Sequence, residues 1–199
     1  MQIDPRIADF TADQNAGALW LMQRRVALIG DQAGYGKTAQ VIRALNYVRA
    51  KRITWVTLPS LTETTLRECK KWSLVDYEMC AIEKASDPIP DDGIVTISYD
   101  VATRPDVAKR LTARGCCVRV IDEAHRGKDP QGARAKACYL KRGIVSTAQR
   151  LWQVTASPAQ NNASEWFIFA RACEAWTGTR RKFIERFCVL VSDGFNDKI

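Results

Sequence analysis

The chain has 199 residues, 46% of them apolar, and a net charge of +8; this fits one α/β domain with an adequate core and excludes a disordered chain. No apolar run approaches the roughly 18 residues needed to cross a bilayer. Met1-Gln2-Ile3-Asp4-Pro5 lacks the basic and apolar regions of a signal peptide, so the protein is expected to be intracellular. Seven scattered cysteines without a Cys-x-x-Cys pair, and a single histidine, His125, argue against zinc and disulfides and for reduced thiols.

Phe10 to Met22 reads as a helix, and Thr11-Ala12-Asp13-Gln14 has the spacing of a capping box. Val26-Ala27-Leu28-Ile29 is a short buried strand. Gly30-Asp31-Gln32-Ala33-Gly34-Tyr35-Gly36-Lys37-Thr38 follows it, and Val41, Ile42, Leu45 and Val48 then recur at helical spacing. A strand, a glycine-rich turn and a helix opening on Gly-Lys-Thr make a phosphate-binding loop. The glycines let backbone N–H groups turn towards phosphate oxygens, and the helix N-terminus adds partial positive charge. Lys37 is placed for the β- and γ-phosphates and the Thr38 hydroxyl for magnesium. Asp31 stands where the general pattern has its first glycine. The plain alternative is an ordinary strand-to-helix turn with Lys37 in water.

Ile53 to Leu58 reads as a strand ended by Pro59-Ser60, and Thr62 to Trp72 as a helix. A short strand over 77–82, the loop Ser86 to Gly93, the strand Ile94 to Ser98 and a helix over about 105–114 follow. Cys117 to Ile121 is a buried strand running into Asp122-Glu123-Ala124-His125. Helices are expected over 133–141, 164–174 and 180–187, a strand over 151–155, and frayed residues over 192–199. Alternating strands and helices predict a parallel, doubly wound sheet.

Residues 101–150 carry twelve Lys and Arg against four Asp and Glu, which is +8, while the other blocks sum to zero. That concentration points to a polyanionic partner or to a solvated basic face. Asp122-Glu123 follows a buried strand 85 residues beyond Lys37, so in a parallel sheet both reach the carboxyl edge, where ligands bind. Magnesium needs a carboxylate beside the phosphates, which suits Asp122. Hydrolysis needs a group to deprotonate water, which suits Glu123.

Taken together, Asp31 to Thr38, Asp122 to Arg126 and Thr155-Ala156-Ser157-Pro158-Ala159-Gln160-Asn161-Asn162 resemble motifs I, II and III of superfamily-two helicases. More narrowly they resemble the Swi/Snf-type DNA-dependent ATPases. Leu58-Pro59-Ser60-Leu61 is similar to motif Ia and Ile97-Ser98-Tyr99-Asp100 to motif Ib. The resemblance covers about 10–190 and implies a RecA-like three-layer fold with a mostly parallel sheet, and a DNA-stimulated ATP hydrolase or double-stranded-DNA translocase using ATP and Mg2+.

The resemblance also implies roles. Gln14 sits where the family holds adenine, and Asp31, Gly34, Tyr35, Gly36, Lys37 and Thr38 form the nucleotide loop. Thr38 and Asp122 hold magnesium, Glu123 activates water, and His125 couples motif II to Thr155 and Ser157. Pro59, Ser60 and Tyr99 lie where the family contacts the DNA backbone. Motif III here is Thr-Ala-Ser rather than Thr-Gly-Thr, and Gly127-Lys128-Asp129 replaces an apolar-Lys-Asn run. The family motor has two lobes and takes its arginine fingers from the second. Residues 1–199 hold one set of motifs, so a single lobe is expected, nearly inactive without a second lobe. Two alternatives are an adaptor that binds ATP or DNA without turnover and an RNA helicase lobe, whose motif III is usually Ser-Ala-Thr.

Overall fold

The structure of the chain, a computed structural model, describes residues 10–139, 143–159, 162–189, 191–192 and 197–198. Strands β1 (Val26–Ile29), β2 (Arg52–Thr57), β3 (Met79–Ile82), β4 (Gly93–Ser98), β5 (Cys116–Asp122) and β6 (Ala148–Val154) form one sheet. Its order is β1-β6-β5-β2-β4-β3, and every pairing in it is parallel. Strands in such a sheet are covered on both faces, and β2 and β4 are buried almost throughout.

Helices α1 (Ala12–Met22), α2 (Lys37–Val48) and α3 (Thr62–Trp72) lie on one face. There Leu21, Ile42, Leu45 and Cys69 pack with Trp55, Val120 and Trp152. Helices α4 (Tyr99–Ala102), α5 (Pro105–Arg114), α6 (Ala133–Tyr139) and α7 (Trp166–Ala172) lie on the other. There Tyr99, Leu111, Cys138 and Phe169 pack with Val56, Ile97, Ile121 and Leu151. The doubly wound architecture expected from the alternating pattern is what forms. Helix α8 (Arg180–Phe187) adds an aromatic cluster of Trp176, Phe183 and Phe187.

Local chemistry sets the element ends. Pro105 opens α5, where its missing N–H costs nothing. Ser98 caps α4 by accepting from Val101 N–H, making a turn of helix that alternation alone does not announce. The helix expected over 164–174 is a 3-10 turn, Ala163–Glu165, followed by α7, which ends before the left-handed Glu174. Of the helix expected over 133–141, the last residues lie outside the described ones. The end expected to fray carries an antiparallel pairing of Val191–Ser192 with Asp197–Lys198.

The ladder register positions the site. Ile29 pairs with Val154 and Val154 with Asp122, so β1, β6 and β5 end in one row. The loops after them therefore emerge side by side.

Gly93 has φ +92, and a Cβ there would lie 2.1 Å from the Glu78 carbonyl oxygen. Gly93→Ala is expected to lose roughly 2 kcal/mol or more in urea unfolding. Gly30, where a Cβ meets nothing within 4 Å, is the control, and Gly30→Ala should stay within about 0.5 kcal/mol.

Candidate functional site

The glycine-rich turn leaves β1 and enters α2 through two left-handed glycines, Gly34 (φ 84) and Gly36 (φ 70). A side chain at Gly36 is excluded twice, by φ and because a Cβ would lie 2.3 Å from Gln14 Nε2. Lys37 Nζ folds back over the turn and donates to the Asp31 and Gln32 carbonyls, both at 2.8 Å. Gln40 Nε2 donates to Asp31 Oδ2 at 2.8 Å. Asp31, which departs from the general loop pattern, thus holds the turn through both its carbonyl and its carboxylate. Thr38 is half-buried in the first turn of α2, and Tyr35 is 57% exposed.

Gln14 has the capping role that its position raises, and its side chain also lies against the glycine-rich turn. Its Oε1 accepts from Thr11 N–H at 3.0 Å and its own N–H donates to Thr11 Oγ1 at 3.2 Å, a complete capping box. That bond orients the amide so that Nε2 faces the turn at Gly36. Beside the turn an open cleft of about 500 Å³ is lined by Asp13, Gly17, Trp20, Leu28 and Tyr35.

Across the strand ends lies the acidic pair. Asp122 Oδ1 accepts from Glu123 N–H at 2.9 Å. Its Oδ2 has only long contacts, from Trp55 Nε1 at 3.4 Å and Thr57 Oγ1 at 3.5 Å. Burial pushes the Asp122 carboxyl up from its ordinary value, against the pull of the Lys37 charge. A half-buried carboxylate with one weakly engaged oxygen beside the glycine-rich turn fits a magnesium ligand.

Glu123 adopts the left-handed conformation, φ 48 and ψ 46. Its Oε2 lies 3.2 Å from His125 Nδ1, and the same nitrogen lies 3.0 Å from Thr155 Oγ1. Thr155 Oγ1 in turn accepts from Ser157 N–H at 3.2 Å. One imidazole therefore touches the loops after β5 and β6. Burial pushes His125 down from its ordinary value and the Glu123 carboxylate opposes this.

One expectation needs correction. Tyr99 has no exposed surface, and its hydroxyl donates to the Asp122 carbonyl at 2.8 Å. Its side chain faces motif II and cannot meet a DNA backbone from there, whereas Pro59 and Ser60 are exposed on the 3-10 turn after β2. Half of the basic residues of 101–150 are engaged by partners of this chain. Arg110, Arg114, Arg119 and Arg150 donate to backbone carbonyls. Arg134 pairs with Asp100 and Lys128 with Glu165. Arg104, Lys109, Arg126 and Lys136 are exposed; Lys141 and Arg142 lie outside the described residues, as do Gln160 and Asn161 of motif III. Gln40 and Trp55 were missed; for Gln40 the signal was its place one helical turn after Lys37.

All seven cysteines are thiols. Among the described residues no helix is long and apolar enough to cross a membrane, and no group of three or more His, Cys, Asp or Glu could hold a metal ion.

No protein-family model matches the chain. Over 158 residues it is 25% identical to the SWI/SNF-related matrix-associated actin-dependent regulator of chromatin subfamily A-like protein 1 of Bos taurus. Over 143 residues it is 29% identical to the protein of that name from Xenopus laevis. These matches cover 77% and 70% of the chain but 16% and 14% of those proteins. Among solved structures, the Sulfolobus solfataricus SWI2/SNF2 ATPase core in complex with dsDNA superposes with a TM-score of 0.71 at 21% identity, covering 88% of this chain and 38% of that one. The chain is similar to Swi/Snf-related proteins. Its sheet and flanking helices have the RecA-like fold of that core.

Because burial raises the folded-state pKa of Asp122, its stabilising contribution is full below the ordinary aspartate value and is lost as pH rises through the raised one. Asp122→Asn keeps the oxygen that accepts from Glu123 N–H without the buried charge. The nucleotide-free variant should melt above the parent at pH 7, and the gap should close as pH falls below the ordinary aspartate value. Thermal unfolding across pH reads this directly.

Proposed function

We propose that residues 10–190 act as one ATP-binding lobe of a DNA-dependent ATPase of the Swi/Snf helicase-like group, a double-stranded-DNA translocase. The observation that carries this reading is the single row of strand ends that brings Lys37 and Thr38 beside Asp122, Glu123 and His125. Lys37 exchanges its two loop carbonyls for β- and γ-phosphate oxygens. Thr38 and Asp122 hold magnesium, which when bound supplies charge neutralisation on the phosphates. Gln14 presents its amide to adenine, and the cleft beside Trp20 and Tyr35 has the size range of a nucleoside site. Glu123 takes the proton of the attacking water, while His125 keeps that carboxylate in register with Thr155 and Ser157 of motif III.

The structural neighbour's complex with dsDNA supports a duplex as the partner. Pro59 and Ser60, with exposed Arg104 on the same edge, are the groups we assign to the phosphate backbone. Backbone contacts of this kind carry little sequence information. A second lobe, outside residues 1–199 or supplied in trans, provides the arginine finger, an element worth about 10³–10⁵ in rate.

Titration with a fluorescent ATP analogue tests the site. Lys37→Ala should abolish binding, whereas Glu123→Gln should retain it and lose hydrolysis. Undiminished affinity in the Lys37 variant would remove the site assignment. Steady-state hydrolysis should be very slow for this chain alone and rise when a second lobe and duplex DNA are added; no rise would favour a non-hydrolysing adaptor.

Gln14→Ala should lose about 0.5–2 kcal/mol of stability through its cap and also weaken the preference for ATP over GTP. A variant that melts earlier but discriminates as before would leave Gln14 with capping alone.

A further inference from the structure

Two side chains fix one peptide unit at the end of β5. The Tyr99 hydroxyl donates to the Asp122 carbonyl at 2.8 Å and lies 3.4 Å from the Glu123 carbonyl. The other polar end of the Asp122–Glu123 peptide, the Glu123 N–H, is held by Asp122 Oδ1 at 2.9 Å. This unit lies just past the last ladder pair, Asp122 with Val154, so no strand holds its carbonyl. The residue it leads into is left-handed at φ 48, a conformation that a Cβ disfavours. From that conformation the carboxylate reaches His125 Nδ1 at 3.2 Å.

We propose that Tyr99 is a positioning residue for Glu123: its hydroxyl pins the Asp122–Glu123 peptide and so keeps the left-handed backbone that points the carboxylate at His125. Space-filling does not account for the oxygen, since a phenylalanine ring fills the same volume. Burial pushes the hydroxyl's ionisation well up, so it stays a donor. Arg134 covers the ring at 5.7 Å and pairs with Asp100 at 2.9 Å, closing the cluster from solvent. A strained backbone held by its surroundings is a recurrent device at reactive sites. The value of this to hydrolysis rests on the function proposed above; the geometry does not.

His125 is the single histidine of the chain, so its imidazole titration by NMR reports the distance of Glu123 without any turnover. Glu123 and Glu165 raise its midpoint, whereas burial, Arg126 and Lys128 lower it. Glu123→Gln should lower the midpoint and set the full size of the carboxylate's contribution. Tyr99→Phe should lower it by most of that amount, and should add nothing in the Glu123→Gln background. A Tyr99→Phe midpoint equal to the parent's overturns the inference, as does a midpoint that Glu123→Gln leaves unmoved. If Tyr99→Phe does not fold, the parent chain decides. The Tyr99 hydroxyl proton should exchange far more slowly than that of the 57% exposed Tyr35; equal exchange overturns the inference. A parent chain that fails to bind the fluorescent ATP analogue would remove the proposed function and leave this readout intact.

Discussion

Ile29, Val154 and Asp122 pair across β1, β6 and β5 as the last row of a parallel ladder. Past that row the backbone polar groups must find other partners, and the residues of the candidate site supply them. Thr155 N–H donates to the Ile29 carbonyl at 3.0 Å, one step beyond the row. The Asp122–Glu123 peptide is taken by Tyr99 and by the Asp122 carboxylate. Lys37 satisfies two carbonyls of the turn after β1. The side chains assigned to chemistry are thus also the caps of the strand ends. In the function proposed above, a phosphate entering the turn meets no free lysine and must exchange with two carbonyls, so its affinity is a difference between two sets of hydrogen bonds rather than a sum.

Several features here lower stability. Asp122 is a carboxylate that burial disfavours. Glu123 holds a conformation that costs about 1–2 kcal/mol for a residue with a Cβ. Arg119, fully buried in the middle of β5, donates from Nη2 to the Ile144 carbonyl while its Nε and Nη1 find no partner among the described residues. A buried guanidinium so placed is costly without an anion. What offsets these terms is apolar packing on both sheet faces, with Trp55 and Trp152 on one and Ile97, Ile121 and Phe169 on the other. Trp55 is on both sides of this account. It fills the core and extends an indole N–H towards Asp122 Oδ2, so the packing that supports the sheet also supplies a donor to a charge that burial disfavours.

Legibility in the sequence followed the range of the interaction. The turn from Gly30 to Thr38, the capping box at Thr11 and the strands of β-branched residues are written in neighbouring residues, and each forms near its expected bounds. The strand order is not local, but parallel strands that alternate with helices leave few arrangements. Side-chain direction at strand ends was not legible. Tyr99 follows β4 immediately, yet the Ser98 cap turns it into α4 and drives the ring under the sheet edge instead of towards solvent. Charge was only partly legible for a related reason. An arginine that binds backbone carbonyls at a buried sheet end, as Arg114 does with Ile53, Pro90 and Gly93, looks in sequence like one that faces a polyanion. The helix expected from Ser164 to Glu174 failed at its ends, where a 3-10 turn and a left-handed Glu174 replace regular helix.

The proposed chemistry is constrained most by where its groups come from. Lys37, Asp122, Glu123, His125 and Thr155 all follow strands that end in one row, and a row of strand ends is a line rather than an enclosure. A nucleotide laid along it meets donors on the side of the sheet, and the face of the γ-phosphate turned away from the sheet is left for something else. Charge that develops there in the transition state is stabilised only by groups approaching from outside this edge. His125 belongs to the same logic. One nitrogen contacts both Glu123 and Thr155, so a single ring bridges the loop after β6 and the carboxylate after β5. In the function proposed above, a second surface docked against the β6 loop has two points of action: the open face, and the choice between the two partners of the imidazole.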